Sequence, residues 1–192
     1  MLEIISANFI KFLIVIVVNL ILFHFNFKIG KYLEILDLPD GKRKLHKEPI
    51  PLTGGVFLFV NLFIYYVFAI FEYDFSSSNI FKNIFELNIF FFCSCMIFLL
   101  GFLDDKFQIS ANIKLITLIL IFSFLLLIDN STLINDIRIS FLNFQFNIGH
   151  FSFFWTLICF LLFINAINMF DGFNLQSGIY FLIFIIFLLY KG

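Results

Sequence analysis

The feature that most constrains this chain is a series of long segments without acidic or basic side chains. Residues 52–71 and 87–103 each lack Asp, Glu, Lys, Arg and His. A helix rises ~1.5 Å per residue, so about 20 such residues cross the ~30 Å hydrocarbon core of a bilayer. Of the 192 residues, 62% are hydrophobic and 13% are charged, whereas a soluble domain is about 25% charged. The chain is therefore predicted to be an all-α polytopic membrane protein.

The apolar segments predict about six transmembrane helices in a single membrane domain, residues 1–192. We expect the helices at about residues 4–27, 52–71, 87–103, 111–128, 151–169 and 177–190. Residues 137–148 alternate apolar and polar side chains, which predicts a short β-hairpin at the outer interface. The three cysteines lie inside apolar runs without metal-ligand or redox spacing, so we interpret them as small buried hydrophobic residues.

The distribution of basic residues orients these helices in the membrane. Residues 28–51 contain half of the twelve Lys and Arg residues, and the positive-inside rule makes this basic loop cytoplasmic. Taken alone, the loop needs no role beyond orientation and contact with anionic headgroups. The adjacent Gly54 and Gly55 would let the backbone pass close to another helix or a ligand. We expect an integral protein of the cytoplasmic membrane and no nucleic-acid partner.

Two adjacent carboxylates, Asp104 and Asp105, follow directly after the uncharged segment 87–103. A charged residue in hydrocarbon costs about 2.5–3.5 kcal/mol, so this pair must lie at a membrane edge or in a water-filled cavity. Two neighbouring carboxylates repel each other unless they share a cation or a proton. The pair is therefore a candidate site for metal binding or proton transfer, and the predicted topology puts it on the same side as the basic loop.

The fifth predicted helix ends in a second polar cluster. Asn165, Asn168 and Asp171 recur every three residues, which places them on one stripe of the helix surface. Asp171 and Gly172 are then expected to end the helix and to present a carboxylate to water. In the predicted topology this cluster also lies on the cytoplasmic side.

These three motifs, in this order, resemble the polyprenyl-phosphate N-acetylhexosamine-1-phosphate transferases, the glycosyltransferase 4 type family that contains the WecA and MraY enzymes. The motifs read Arg43-Lys44-x-His46-x-x-Pro49-x-Pro51-x-x-Gly54-Gly55, Gly101-x-x-Asp104-Asp105 and Asn165-x-x-Asn168-x-x-Asp171-Gly172. The resemblance spans residues 37–178, and the first motif is closer to the WecA-like branch. It implies that a polyprenyl phosphate oxygen attacks the β-phosphate of a UDP-N-acetylhexosamine at the cytoplasmic membrane face, with release of UMP, in cell-wall or surface polysaccharide synthesis such as that of lipopolysaccharide.

The resemblance also implies roles for individual residues. Asp104 and Asp105 would be catalytic and would handle the lipid phosphate, one of them as its base. The substrate-binding residues would be Lys44, His46, Asn165, Asn168 and Asn174. Asp171 would bind the metal, Mg²⁺ or Mn²⁺, because developing phosphoryl charge requires a cation that carboxylates can hold.

The chain departs from the family pattern in two respects. The family continues Asp-Gly-x-Asp-Gly or Asp-Gly-x-Asn-Gly, whereas here Leu175 follows Asn174. Family members also carry further inner loops with a Gly-Asp-x-Gly-Ser motif and a histidine cluster, and this sequence contains neither. We therefore expect the chain to correspond to the N-terminal half of the enzyme, as a truncation, a decayed copy, or a part completed by a second chain or a homodimer.

Two alternatives from other functional classes remain open at this point. A small transporter would also place acids at an inner vestibule, but it would carry charged or small residues at mid-membrane, and the apolar segments contain almost none. A non-catalytic membrane subunit would need neither the carboxylate pair nor the basic loop. A truncated or inactive transferase would fit that second class.

Overall fold

The computed structural model describes residues 2–39, 48–72, 81–139, 141, 144–170, 182–183 and 186. Most of these residues are helical, in agreement with the predicted all-α fold. The chain divides into two compact units, Met1–Lys114 and Leu115–Gly192. Each unit has its own packing, and each is described by itself below.

In the described part of the chain, four helices are long and apolar enough to cross a membrane, or five if a bent pair counts as one span. The four are Gly54–Phe71, Ile84–Phe107, Ala111–Ile128 and Gly149–Asn168, and the bent pair is Phe9–His24 with Asn26–Leu33. The chain is thus an integral, polytopic membrane protein. The predicted sixth helix, residues 177–190, lies outside the described residues except for 182, 183 and 186, which are helical.

The first predicted helix, residues 4–27, is divided in the structure. Helix α1 covers Leu2–His24, and helix α2 covers Asn26–Leu33 at an angle of 66° to it. Two contacts with a later segment hold α2 in this direction. The Thr53 hydroxyl donates a hydrogen bond to the Asn26 side-chain oxygen, and a Cβ added at Gly30 would lie 2.7 Å from the Cβ of Pro51. Only glycine allows this approach, so α2 packs directly on the segment that precedes the next helix.

A two-stranded sheet closes the base of the basic loop. Strand β1, Leu36–Asp37, pairs antiparallel with strand β2, Ile50–Pro51. Ile35 is buried, and its carbonyl oxygen accepts a hydrogen bond of 2.9 Å from the Leu52 amide. The two ends of the loop are therefore held together, although its basic centre, residues 40–47, lies outside the described residues.

Helices α3, Gly54–Glu72, and α4, Ile84–Phe107, pack through aromatic rings. The rings of Phe59 and Phe98 stack with centroids 4.2 Å apart, and those of Tyr66 and Phe91 stack at 3.9 Å. The Tyr66 hydroxyl also donates a hydrogen bond of 2.9 Å to the Asn88 side-chain oxygen. Since lipid is as apolar as these side chains, close ring packing and this hydrogen bond are the terms that favour helix association in a membrane.

Helix α4 is longer at both ends than the predicted segment 87–103. The Asn83 side chain caps its start by accepting a hydrogen bond of 2.9 Å from the Glu86 amide. At the other end the helix continues through Phe107, and Gln108 ends it in the left-handed conformation with φ 51°. Both ends of the helix are set by hydrogen bonds of polar residues, so the length of the uncharged segment does not predict them.

Helices α1 and α3 are joined by a pair of amide side chains. Asn19 donates to the Asn61 side-chain oxygen at 2.8 Å, and Asn61 donates back to the Asn19 oxygen at 3.0 Å. Each amide also donates to a backbone carbonyl one turn earlier in its own helix, Val15 and Phe57 respectively. All four donor hydrogens of the pair can therefore be satisfied without water.

The second unit contains helix α5, Ala111–Ile128, except its first turn, and helix α6, Ser152–Phe170. The rings of Phe122 and Phe160 stack with centroids 4.8 Å apart and join the two helices. Between them, strands β3, Asp136–Ile139, and β4, Phe144–Asn147, form an antiparallel hairpin that pairs Ile137 with Phe146. The hairpin expected within residues 137–148 is confirmed, while residues 142–143, between its strands, lie outside the described residues.

The free thiols fit the interpretation of the cysteines as small apolar residues. Cys93 is buried, and Cys95 and Cys159 are half-buried on the apolar helices α4 and α6. All three are unbonded to other cysteines.

Candidate functional site

The acidic doublet lies on the last turn of α4 and not in the loop that follows it. Asp104 and Asp105 precede the helix end at Phe107 by three and two residues. Neighbouring residues on a helix point about 100° apart, so the two carboxylates face different surroundings. Asp104 and Asp105 can therefore have different roles.

Asp104 forms an ion pair with the first turn of α5. Its Oδ2 lies 2.5 Å from Lys114 Nζ, and both side chains are about two-thirds covered by protein. The contact joins the last turn of α4 to the first turn of α5, since only residues 108–110 separate the two helices. The ammonium group reduces the repulsion between the two carboxylates of the doublet, because it neutralises one of them.

Asp105 is exposed, and it forms no hydrogen bond or ion pair with any other residue that the structure describes. Its carboxylate therefore keeps all its acceptor capacity for a ligand or a proton. It also lies at the end of a cleft between α3 and α4. A carboxylate in this position can accept a proton from a group bound in the cleft.

The cleft is about 520 Å³ in volume and is almost entirely apolar. Its walls are formed by both helices, including Gly55 and Phe59 of α3 and Phe98, Gly101 and Asp105 of α4. The alternative that Gly54 and Gly55 permit the close approach of another helix is not seen among the described residues, because a Cβ added at either position would meet no atom within 4 Å. The space beside Gly55 is instead part of the cleft.

A second ion pair joins Lys106, the residue after the doublet, to the base of the basic loop. Lys106 Nζ lies 2.7 Å from Oε2 of Glu34, the residue that ends α2 and precedes β1. The hydrogen bond from Lys106, together with its positive charge, lowers the pKa of Glu34 below its ordinary value. Within the first unit, Lys106, which follows the acidic doublet in the chain, is thus in direct contact with the residue at the base of the basic loop.

The remaining predicted site residues are distributed as follows. Asn165 and Asn168 are exposed near the C-terminal end of α6, in the second unit, and their three-residue spacing places them on one side of the helix. Lys44, His46, Asp171 and Asn174 lie outside the described residues.

The described residues could hold a divalent cation only together with substrate phosphates and water. Among the described residues there is no cluster of three or more His, Cys, Asp or Glu side chains that could enclose a metal ion. Mg²⁺ in phosphoryl-transfer sites is instead bound by one or two carboxylates together with substrate phosphates and water. Asp104 and Asp105 supply hard oxygen donors of that kind on a single helical turn.

Three groups that organise the site were not identified as site residues from the sequence. They are Glu34, Lys106 and Lys114. The Glu34–Lys106 pair joins distant segments, and Lys114 pairs with Asp104 on the preceding helix. The Asn19 and Asn61 pair was also missed, although a polar amide within an apolar helix is itself a signal for a hydrogen bond between helices.

Comparison with known proteins identifies relatives over most of the chain. Residues 87–192 match the family described as Glycosyl transferase family 4. An undecaprenyl-phosphate alpha-N-acetylglucosaminyl 1-phosphate transferase of Escherichia coli K12 is 28% identical over 145 residues, which are 76% of this chain and 36% of the relative. The protein of the same name from Thermotoga maritima is 41% identical over 86 residues, 45% of this chain and 23% of the relative.

A longer match exists in Bacillus subtilis. Its probable undecaprenyl-phosphate N-acetylglucosaminyl 1-phosphate transferase is 27% identical over 180 residues, which are 93% of this chain and 46% of the relative. The chain thus spans less than half the length of these relatives. No solved structure matches the chain significantly.

Proposed function

Because the chain belongs to glycosyl transferase family 4, we propose that it takes part in the transfer of a sugar 1-phosphate from a UDP-N-acetylhexosamine to polyprenyl phosphate. The reaction takes place at the cytoplasmic membrane face and releases UMP. The single observation that carries this proposal is the connected cluster at the end of α4, where Asp105 is available beside the Asp104–Lys114 ion pair. The relatives' names specify the acceptor class and the transferred group for those proteins.

In the proposed reaction, an oxygen of the lipid phosphate attacks the β-phosphorus of the nucleotide sugar. The bond between that phosphorus and the oxygen bridging to the α-phosphorus breaks, and this oxygen leaves with UMP. Asp105 accepts the proton of the attacking phosphate because its carboxylate has no other partner among the described residues. Lys114 and Lys106 are each paired with a carboxylate, so they reduce the negative charge of the cluster that the phosphates approach.

The basic loop adds to the attraction for these anions. A nucleotide sugar and a lipid phosphate are both polyanionic, so cationic side chains near the site raise their local concentration. Lys44 and His46 are proposed to contact phosphate, since the β1–β2 pair holds the ends of their loop and Glu34 anchors it beside Lys106. Asn165, Asn168 and Asn174 are proposed to bind the nucleotide sugar.

Phospho-sugar transferases generally use a divalent metal. We propose Mg²⁺, with Mn²⁺ as substitute, bound by Asp171 together with the substrate phosphates. The bound cation would neutralise charge on the phosphoryl oxygens.

The test is UMP release from UDP-N-acetylglucosamine and polyprenyl phosphate by the purified protein in lipid nanodiscs. A positioned general base contributes about 10² to 10⁴ in rate, so Asp105→Asn is expected to reduce release at least about 100-fold. Asp136→Asn is the matched control. It makes the same change from carboxylate to amide on the β-hairpin, where Asp136 accepts a hydrogen bond from Asn147. Equal UMP release by the parent protein and Asp105→Asn would show that Asp105 takes no part in the reaction.

A further inference from the structure

We infer that the β3–β4 hairpin binds the lipid surface of the leaflet in which α6 begins, with one face against the lipid and the other towards water. The partner is the interfacial layer of the bilayer, where phospholipid headgroups meet the first part of the acyl chains. The inference concerns the second unit only. It does not depend on the proposed function, since the hairpin contributes no residue to the proposed reaction.

The pairing of the two strands gives the hairpin an apolar face and a polar face. Residues directly opposite each other in an antiparallel pair point to the same side, and neighbours along a strand point to opposite sides. The apolar face therefore consists of Ile137, Ile139, Phe144 and Phe146. The polar face consists of Asp136, Arg138, Gln145 and Asn147. The Asn147 side chain donates a hydrogen bond of 3.0 Å to Asp136 Oδ1 across the polar face, in agreement with this division.

The apolar face is only partly covered by the rest of the protein. Phe144 is 52% exposed and Phe146 is 54% exposed, and the isoleucines of β3 opposite them are half-buried. A two-stranded hairpin that lacks packing on one face is only marginally stable in water. The hairpin therefore requires a further partner on this face, and that partner must be apolar.

The hairpin is held close to the point where α6 enters the membrane. Strand β4 ends at Asn147, and the candidate membrane span begins at Gly149. On the other strand, the Ile134 amide just before β3 donates a hydrogen bond of 2.9 Å to the hydroxyl of Thr156, which is buried on α6. Both strands are thus attached to the beginning of α6, so the nearest apolar medium is the bilayer.

The distribution of charged and aromatic side chains sets the depth of the hairpin. Asp136 and Arg138 on the polar face are excluded from hydrocarbon, so the hairpin lies along the membrane boundary and not deeper. Trp155, on the first turn of α6, is exposed, and tryptophan is enriched where a membrane meets water. Segments with one apolar, aromatic side and one polar side are typical of this interfacial layer.

A second copy of the chain fits the apolar face less well than lipid does. Strands of four residues at ~3.3 Å per residue and ~4.8 Å apart give a face of about 13 Å by about 10 Å. This area is on the order of 130 Å², whereas a stable protein interface covers about 800 Å² on each partner. Lipid needs no such minimum area, because the transmembrane helices already hold the protein in the bilayer.

The single tryptophan of the chain permits a test by fluorescence. Trp155→Phe removes the native tryptophan, and one new tryptophan is then placed on a chosen face of the hairpin. Phe146→Trp places it on the apolar face, and Gln145→Trp is the matched control on the polar face, one residue away. Phe144→Trp is a second reporter on the apolar face. Each full-length variant is checked for helical content and monodispersity before use.

Each variant is measured in phosphatidylcholine nanodiscs with and without bromine on the upper part of the acyl chains. Bromine quenches tryptophan that contacts the acyl chains, whereas iodide quenches tryptophan that is exposed to water. Phe146→Trp and Phe144→Trp are expected to lose emission in brominated lipid, to emit at shorter wavelength and to resist iodide. Gln145→Trp is expected to keep its emission in brominated lipid and to lose it with iodide. The parent protein is the positive control for bromine, because Trp155 lies within a candidate span.

Three results would overturn the inference. Apolar-face reporters that are quenched by iodide and unaffected by bromine would show that this face is turned towards water. Apolar-face reporters that are unaffected by both quenchers would show that protein, such as a second copy of the chain, covers the face. Equal bromine quenching on both faces would show that the hairpin has no preferred side towards the lipid. These readouts are independent of UMP release, so the inference and the proposed function can fail separately.

Discussion

Lys106 Nζ lies 2.7 Å from Glu34 Oε2 and so joins the last turn of α4 to the residue that ends α2. Glu34 is largely exposed, and exposed ion pairs contribute little to stability. The importance of this contact is geometric. Because β1 begins two residues after Glu34, the ion pair places the base of the basic loop beside the acidic doublet.

The Glu34–Lys106 contact should make stability depend on pH. Lys106 lowers the pKa of Glu34 in the folded protein, so the folded state favours the charged carboxylate. This contribution is present above the ordinary carboxyl range, near pH 4, and is lost as the pH falls through the lowered pKa. Glu34→Gln should therefore lower the melting temperature slightly at pH 7, and the difference should shrink in acid.

The control for this pH effect is the same substitution in a Lys106→Gln background. In that background Glu34→Gln should have the same small effect on the melting temperature at pH 7 and in acid, because Lys106, which lowers the pKa of Glu34, is missing. A Glu34→Gln effect that is independent of pH in the parent protein would contradict the assignment. Thermal unfolding followed by intrinsic fluorescence provides the measurement.

The Asp104–Lys114 pair should behave as a unit. Lys114→Gln leaves Asp104 about two-thirds covered and without its cation, whereas the double variant Asp104→Asn with Lys114→Gln removes both charges. We expect a coupling free energy of about 0.2–1 kcal/mol, the range of measured partly exposed pairs. The measurement is a double-mutant cycle of unfolding free energy, and additive single effects would show that the contact is energetically silent.

The basic loop and the hairpin should face opposite sides of the membrane. A cysteine at position 44 should react with an impermeant maleimide only in inverted vesicles, and a cysteine at the exposed Arg138 of β3 should react only in intact cells. The parent protein is the control for Cys93, Cys95 and Cys159, which lie on apolar helices. Labelling of position 44 in intact cells would place the basic loop outside and refute the proposed site.

The Asn19 and Asn61 pair should stabilise the contact between α1 and α3. Hydrogen bonds between membrane helices contribute about 0.6 kcal/mol on average and up to about 1.7 kcal/mol. Asn61→Leu should cost an amount in this range, because Asn19 loses both its donor and its acceptor on the partner helix. Adding Asn19→Leu should cost less than the sum of the two single effects. Steric-trap or detergent unfolding measures both, and a fully additive result would exclude coupling.

Local sequence rules were sufficient for the elements whose stability is local. The uncharged run before Asp104 predicts helix α4, and the alternation around Ile137 and Phe146 predicts the hairpin, because side-chain periodicity follows directly from helix and strand geometry. The ends of the elements were less predictable. Helix α4 continues through Asp104 and Asp105 and ends at Gln108 in the left-handed conformation. The first segment bends at Phe25, where α2 contacts Thr53 and Pro51 from a later part of the chain.

The sequence by itself determined that this is a helical membrane protein with an acidic doublet next to an apolar span, because hydrocarbon excludes charge whatever the surrounding fold. Only the tertiary structure decided that Asp104 is neutralised by Lys114 while Asp105 stays available, and that Glu34 ties the basic loop to them. It also decided that Gly55 and Gly101 border one cleft. The Glu34–Lys106 pair and the two glycines join residues far apart in the chain, and the Asp104–Lys114 pair joins two consecutive helices. The geometry of all three follows from how the helices pack.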